Sequence, residues 1–430
     1  MNNFTVYFQK IFHLGMSKTA RNTYFVFLGN IVSMFFAFLF TVILARAISL
    51  SDLGYFSALL SLMLLTSDIA DFGIGSSLAR FLPTMEQNKK TLLSFLKSAF
   101  LFQFFLALFL GLSIFMVSAF ISQTLFHTKA FDLLVKVTTL GVIGSILSNF
   151  FLYALLARQK FIESSIFTGL GALLRLVFLI ILIITSLVSL KNVIWAQSLS
   201  LIVLSLVGIF LIKLEFLSVK ITRGDLNKLL SFSKYLGIAR GLTAVAGKID
   251  VLMIISLANS VEAGIYSLAS RVTSIYPLLS GSFSTVLAPK IATLKNTSEL
   301  KQFFVKVSIA TIGLILSIII LIVIAEPFMF YLFGAEKGLP TVSVFRLLLV
   351  SMIFFVASIP SVSLAIYYLK KPFILSINSI LQLIIVIVGN FILIPKFGRE
   401  GAAYSLIVAY SVTLVLTSYM SFYYLRKSYG

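Results

Sequence analysis

The sequence predicts an all-α polytopic membrane protein with about twelve spanning helices in two lobes of six. Three observations carry that prediction. Hydrophobic residues make up 60% of the chain and charged residues only 11%, too little polar surface for a soluble core of 430 residues. Apolar stretches near twenty residues recur along its whole length, enough for each to cross roughly 30 Å of hydrocarbon as a helix. The second half also repeats features of the first. The ten-residue alternating segments of a membrane β-barrel are absent, and only helices or closed barrels satisfy the backbone inside lipid.

Taken in order, the first element is short. Phe4, Phe8 and Phe12 recur at helical spacing beside Lys10 and Lys18, which reads as an amphipathic helix lying at the membrane surface. No continuous apolar run of a cleavable signal is evident there. Spans follow near 24–45, 53–72, 95–120, 132–156, 163–186 and 192–212. A polar, basic linker at about 213–230 contains Lys213, Glu215, Lys220, Arg223 and Asp225. The second six spans fall near 232–256, 264–287, 304–326, 344–368, 373–394 and 402–424. This divides the chain into an N-lobe, 1–214, and a C-lobe, 215–430, the latter opening with the linker. Gly73 and Gly75 predict a bend after the second span. Pro277, Gly281 and Pro289 punctuate the eighth and Pro360 the tenth, as static kinks or as hinges.

The formal charge of +20 could indicate nucleic acid, but most of the 34 Lys and Arg lie in short loops on one side of the spans. They include Lys89 and Lys90, Arg158 and Lys160, Lys290 and Lys295, Lys370 and Lys371, and Arg426 and Lys427. The positive-inside rule makes that face cytoplasmic, with both termini there, in a cytoplasmic (inner) cell membrane. No nucleic-acid partner is expected, because no separate basic domain exists. The chain has no cysteine, which excludes disulfides, thiol catalysis and thiolate metal sites. His13 and His127 are too far apart in sequence to imply a metal, and Trp195 suits a membrane interface.

The repeat fixes the relation of the halves. Residues 48–60, ISLSDLGYFSALL, align with 258–270, ANSVEAGIYSLAS, at an offset of 210. Asp52 then matches Glu262, Gly54 matches Gly264 and Phe56 matches Tyr266, and Arg80 matches Lys290. The runs beginning at Phe161 and Phe373, and at Ala196 and Ala403, match at similar offsets. An even number of spans per half gives both halves the same orientation, so the lobes are parallel repeats suited to alternating access.

The chain resembles the Wzx-type oligosaccharide flippases, in the polysaccharide-biosynthesis branch of the MOP (multidrug/oligosaccharidyl-lipid/polysaccharide) superfamily. The resemblance is carried by Asn30 through Arg46 to Asp52-Leu53-Gly54-Tyr55-Phe56, by Lys248-Ile249-Asp250 before Gly264-Ile265-Tyr266-Ser267, and by Gly398-Arg399-Glu400-Gly401-Ala402-Ala403. It covers essentially the whole chain. The lipid II flippase branch is less similar, since its chains carry two further helices. The resemblance implies a MATE-like, V-shaped pair of lobes that carries polyprenyl-diphosphate-linked oligosaccharide (O-antigen or other polysaccharide repeat units) to the outer leaflet. It also implies a polysaccharide polymerase and chain-length machinery as partners, alongside membrane lipid. Spans 1, 2, 7 and 8 would line the central cavity.

Charges inside spans are functional candidates because each costs about 2.5–3.5 kcal/mol at the bilayer centre. Arg46, Arg240, Lys248 and Arg271 sit in the cavity spans and would present cations to a diphosphate or acidic sugar, for which the planar guanidinium fork is suited. Each has a plainer reading. Arg240 could snorkel to the cytoplasmic face. Lys248 and Asp250 could form a structural ion pair. Arg46 could anchor its helix end beside Asp52. Arg271 has no acid within one turn and is the leading ligand candidate. Arg175, mid-way along the fifth span, suits a partner-helix role or substrate contact. Asp68 and Asp71, three apart on one face, could bind a proton or sodium that couples transport, or pair with nearby Arg groups. No catalytic residue, metal or organic cofactor is implied. A MATE-type ion-coupled drug exporter is the alternative, though its cavity should be acidic or aromatic. A membrane enzyme would need a sizeable catalytic loop, and no loop exceeds about twenty residues.

Overall fold

The computed structural model describes residues 18–221, 223–280, 297–369, 371 and 373–429. The N-terminal amphipathic segment, His13, Gly281, Pro289, Lys290, Lys295 and Lys370 lie outside them, as does the side chain of Arg240. All regular structure among the described residues is helical, with no strand. The helices are α1 (Lys18–Ala47), α2 (Leu50–Ala70), α3 (Ile74–Phe81), α4 (Lys89–Met116), α5 (Ser118–Phe126), α6 (Asp132–Ala157), α7 (Phe161–Ile184) and α8 (Leu190–Ile212). They continue as α9 (Arg223–Leu257), α10 (Ser260–Thr273), α11 (Thr297–Val323), α12 (Ala325–Gly338), α13 (Val342–Ala357), α14 (Ile359–Ser363), α15 (Phe373–Phe397) and α16 (Arg399–Tyr429).

Ten segments among the described residues are long and apolar enough to cross a membrane, and they coincide with ten of the twelve expected spans. The other two fall on α9, which is helical but carries Arg240, Lys248 and Asp250, and on α10 with a further helical stretch at 275–280. The surfaces of these helices expose large apolar side chains such as Phe109, Met116, Ile184, Phe210, Phe391 and Val415, as lipid contact requires. Helices α3, α5 and α12 were expected as loop or as span ends; each is too short for a hydrophobic run to reveal it.

The chain forms two compact units. The first comprises Met1–Leu44, Met63–Ser122 and Ala130–Gly241. Its centre is the α6–α8 pair, drawn close by glycine. A Cβ on Gly144 would press on the backbone of Leu201 and Ile202, and one on Gly208 on the ring of Phe151. Small residues let helices approach where hydrophobic collapse supplies no drive. Phe95, Phe151, Phe167 and Phe216 are fully buried. The chain after α8 lies along α4: the Lys97 ammonium donates to the Leu217 and Val219 carbonyls at 2.5 and 2.9 Å, and Ser94 donates to the buried Asp225 at 2.5 Å. As Gly73 suggested, the second span breaks. Phe72 and Gly73 both adopt positive φ, 43° and 76°, a conformation glycine accepts most readily.

The second unit comprises Ala45–Leu62, Gln123–Lys129 and Leu242–Gly430. Helices α15 and α16 form an antiparallel hairpin that turns at Gly398, φ 57°, with Gly389 against Ser405. The start of α2 packs on α10 through glycines: a Cβ on Gly54 would collide with the Ser260 carbonyl, and one on Gly264 with that of Leu50. Ser57 donates to Ser267 at 2.9 Å, 210 residues away. Gly54 and Gly264 stand at the same offset, so residues matched by the repeat touch each other. Gly264→Ala should therefore force α2 from α10 and destabilise the protein by about 1–3 kcal/mol. The check is thermal unfolding in detergent; an unchanged midpoint would contradict this packing.

Candidate functional site

In the second unit, α9 delivers Asp250 to the interior, 7% exposed. Its carboxylate accepts the Tyr266 hydroxyl of α10 at 2.9 Å and the Asn390 amide of α15 at 2.8 Å. The expected ion pair with Lys248 does not form. Lys248 is two positions away on one helix, and such neighbours face apart; no described cation lies within ion-pair distance of Asp250. A buried carboxylate held only by neutral donors retains an uncompensated charge.

Arg271 stands on the same helix as Tyr266, five residues on. It is half-buried, its guanidinium carbon 5.5 Å from the centre of the Phe56 ring and Nη2 3.5 Å from the Ser57 hydroxyl. Ser57 donates to Ser267, which donates to the Gly264 carbonyl at 2.8 Å. The chain of hydroxyls orients the guanidinium from one side, and the aromatic face supports it from another. Repeat-matched residues thus position the leading anion-binding candidate.

Arg46 is exposed and does not pair with Asp52, correcting that reading. Asp52 instead accepts the Ser49 hydroxyl at 2.9 Å. The Arg46 guanidinium donates to the Tyr331 and Leu332 carbonyls at 2.8 and 3.1 Å. These carbonyls lose their helical partners because Gly334, φ 79° and ψ 177°, breaks α12. The converse contact comes from Lys337, 8% exposed, whose ammonium donates to the Ala45 and Ile48 carbonyls at 2.7 and 2.5 Å. Each cation caps a chain end carrying unsatisfied carbonyls and a negative dipole. Arg46 thus joins the end of α1 to α12.

In the first unit, Arg175 is half-buried in α7, and its Nε donates to the Gly171 carbonyl of its own helix at 3.2 Å. It forms no ion pair among the described residues. Asp71, 8% exposed, accepts the Gly75 amide at 3.1 Å and so caps α3 beyond the break. Gln103 donates to the Ala70 and Asp71 carbonyls at 2.9 and 3.2 Å, and the Asp71 carbonyl also accepts the Ile74 amide at 2.7 Å across the break. Asp68 is half-buried one turn earlier. Among the described residues no three His, Cys, Asp or Glu converge on a metal-sized point, and His127 contacts the Ser256 carbonyl at 2.8 Å.

Sequence reasoning did not select Asn390, Tyr266 or Lys337. Asn390 had a usable signal, since it interrupts the apolar run Ile384–Ile394 in mid-span, where an amide needs a partner. Tyr266 was visible as the repeat partner of Phe56 and within the Gly264–Ser267 motif, with no role attached to it. Nothing in the local sequence marks Lys337 as buried.

Residues 19–295 match the family described as polysaccharide biosynthesis protein. No curated protein matches the sequence significantly. Among solved structures, the inward-facing conformation of a multidrug resistance MATE family transporter of the MOP superfamily shares 14% identity, covers 90% of this chain and 93% of that one, and superposes with a TM-score of 0.76. The lipid II flippase MurJ in an inward closed conformation shares 15% identity over 92% and 87% of the two chains, with a TM-score of 0.77. A MOP superfamily transporter from Pyrococcus furiosus, described as having a binding pocket of reverse polarity, shares 14% identity over 90% and 94%, with a TM-score of 0.57. At such identities the likeness shows the fold alone, whereas the sequence match covers more than half the chain. The chain thus belongs to the polysaccharide biosynthesis protein family, as the resemblance to Wzx-type flippases implied, and is a multi-pass membrane protein with the fold of these MOP superfamily structures.

Proposed function

We propose that this protein is a flippase that moves polyprenyl-diphosphate-linked oligosaccharide units from the cytoplasmic to the outer leaflet of the cell membrane, for surface polysaccharide biosynthesis. The family membership supports the cargo class, and the observation that carries the chemistry is Arg271, a half-buried guanidinium oriented by Ser57 and Phe56. A diphosphate presents the paired oxygens that a guanidinium fork binds. Arg240 and Lys248 of α9 are secondary contacts, and Arg175 offers a cation from the first unit. The repeats 1–214 and 215–430 rock in alternating access, with both termini in the cytoplasm. Transport is coupled to a proton or sodium at Asp250, with Asp68 and Asp71 as the other candidate acids. A polymerase and chain-length machinery receive the product. No catalytic step is assigned.

The test uses the purified protein in liposomes loaded with a fluorescent polyprenyl-diphosphate oligosaccharide. Accessibility of the glycan to an external glycosidase or lectin should become complete within minutes, against half in protein-free vesicles. Failure to translocate, with efflux of cationic dyes instead, would assign the chain to the drug-exporter alternative.

A further inference from the structure

Helices α14, α15 and α16 of the second unit share a run of buried and half-buried polar side chains within otherwise apolar spans. On α16, Tyr410, Thr413, Thr417 and Ser421 recur at three- and four-residue intervals, one face of a helix. Facing them are Asn378 and Asn390 of α15, 4% and 0% exposed. The Asn378 amide donates to the Thr417 hydroxyl. Ser361 of α14 lies 2.9 Å from the Ser418 hydroxyl, and its carbonyl accepts the fully buried Ser421 at 3.0 Å. Immediately after α14 the chain makes a π-helical turn, Leu364–Tyr368, a local widening that frees backbone groups and recurs at functional sites. The upper end of the run is Asp250 itself, through its bond from Asn390.

The run is not a closed set of interhelical bonds. The amide oxygens of Asn378 and Asn390 and the hydroxyl of Thr413 are buried and have no protein partner. Turning either amide exchanges an unpartnered oxygen for an unpartnered nitrogen donor, so the deficit persists. Buried polar groups in native proteins are satisfied by protein or by ordered water, and protein satisfies none of these three. These three groups are spread along the seam: Asn378 and Asn390 are about 18 Å apart at the helical rise. Dry polar contacts of the kind that join membrane helices would pair each group across the interface, and along α16 they do so at Thr417, Ser418 and Ser421 and leave these three groups over.

We propose that this seam is a water-filled route joining Asp250 to the side of the membrane on which α16 ends. Charge placement makes that side cytoplasmic. Its use in transport rests on the assignment of Asp250 as the coupling acid: the route would let a proton or hydrated cation reach the carboxylate from one side, independently of the oligosaccharide path.

The native chain contains no cysteine, so single cysteines report water directly. Thr413→Cys and Thr417→Cys would be exposed in proteoliposomes to methanethiosulfonate ethylammonium, with Val388→Cys and Val415→Cys, on the exposed apolar surface, as references. Only the thiolate reacts, and a thiol in apolar surroundings rarely ionises, so the seam positions should react at least about tenfold faster than the references. Labelling after denaturation in detergent confirms that every thiol is present. Equal rates at seam and reference positions would overturn the route. Ser421→Cys, which is nearly isosteric, replaces any threonine variant that does not fold. Hydration of the seam with no effect of Asp250→Asn on gradient-driven transport would leave the route standing and refute the coupling assignment instead.

Discussion

Arg271→Ala is expected to abolish surface polysaccharide in a strain that depends on this protein, while the protein is still made and inserted. The guanidinium is half-buried on α10, and the Ser57–Ser267–Gly264 chain together with the Phe56 ring fixes its direction. A hydrogen bond to a charged group contributes about 1.5–3 kcal/mol, so its loss should weaken binding of a diphosphate by roughly ten- to 100-fold. Arg271→Lys keeps the charge but loses the planar fork and should fall between wild type and alanine. The measurement is polysaccharide at the cell surface beside lipid-linked glycan accumulating inside. A purely structural Arg271 would lower the unfolding temperature of the alanine variant and leave the translocation rate per folded molecule unchanged. That outcome, or normal polysaccharide with Arg271→Ala, would remove Arg271 from the binding site.

The spans were legible because lipid imposes a length and an apolarity that a sequence displays directly. What lipid does not impose was harder to see. Helix α12 follows α11 after a break at Ile324, and its own interruption at Gly334 has no hydrophobic signature; its consequence, the capping of freed carbonyls by Arg46, could not be anticipated. The repeat was the most informative signal. Gly54 and Gly264, matched only by their offset, meet in the structure, as do Ser57 and Ser267. Charges were found wherever they interrupt a span, but their partners were not. The Lys248–Asp250 pairing was inferred from nearness in sequence, whereas helical geometry turns those side chains apart and selects Tyr266 and Asn390, which are 16 and 140 residues from Asp250. Neutral polar residues in apolar runs, Asn378 and Asn390 above all, are the signal to weigh alongside charges in such chains.

Asp250→Asn should uncouple transport without unfolding the protein. The substitution preserves size, and an asparagine oxygen can still accept from Tyr266 or from Asn390, so the core of α9, α10 and α15 keeps its shape. What it removes is the negative charge, and with it the capacity to hold a proton or sodium ion. An isolated carboxylate carries a penalty of several kcal/mol in the interior, and the three charge states differ accordingly: empty and ionised is the costly one, protonated or cation-loaded the stable ones. A transporter can use that difference only if the carboxylate must be loaded for one conformational step and emptied in another. Wild-type proteoliposomes should therefore translocate faster under an imposed proton or sodium gradient. Asp250→Asn, locked in a neutral form, should show the same rate with and without the gradient and retain slow equilibration. If the variant keeps the wild-type gradient response, Asp250 is not the coupling acid. The same measurement on Asp68→Asn and Asp71→Asn then decides whether the first unit supplies it, since the amide oxygen that Asp71→Asn introduces can still accept from Gly75 and cap α3. Asp250 is favoured over both because its described partners are a hydroxyl and an amide, neither of which can neutralise it, and because a polar seam leads to it.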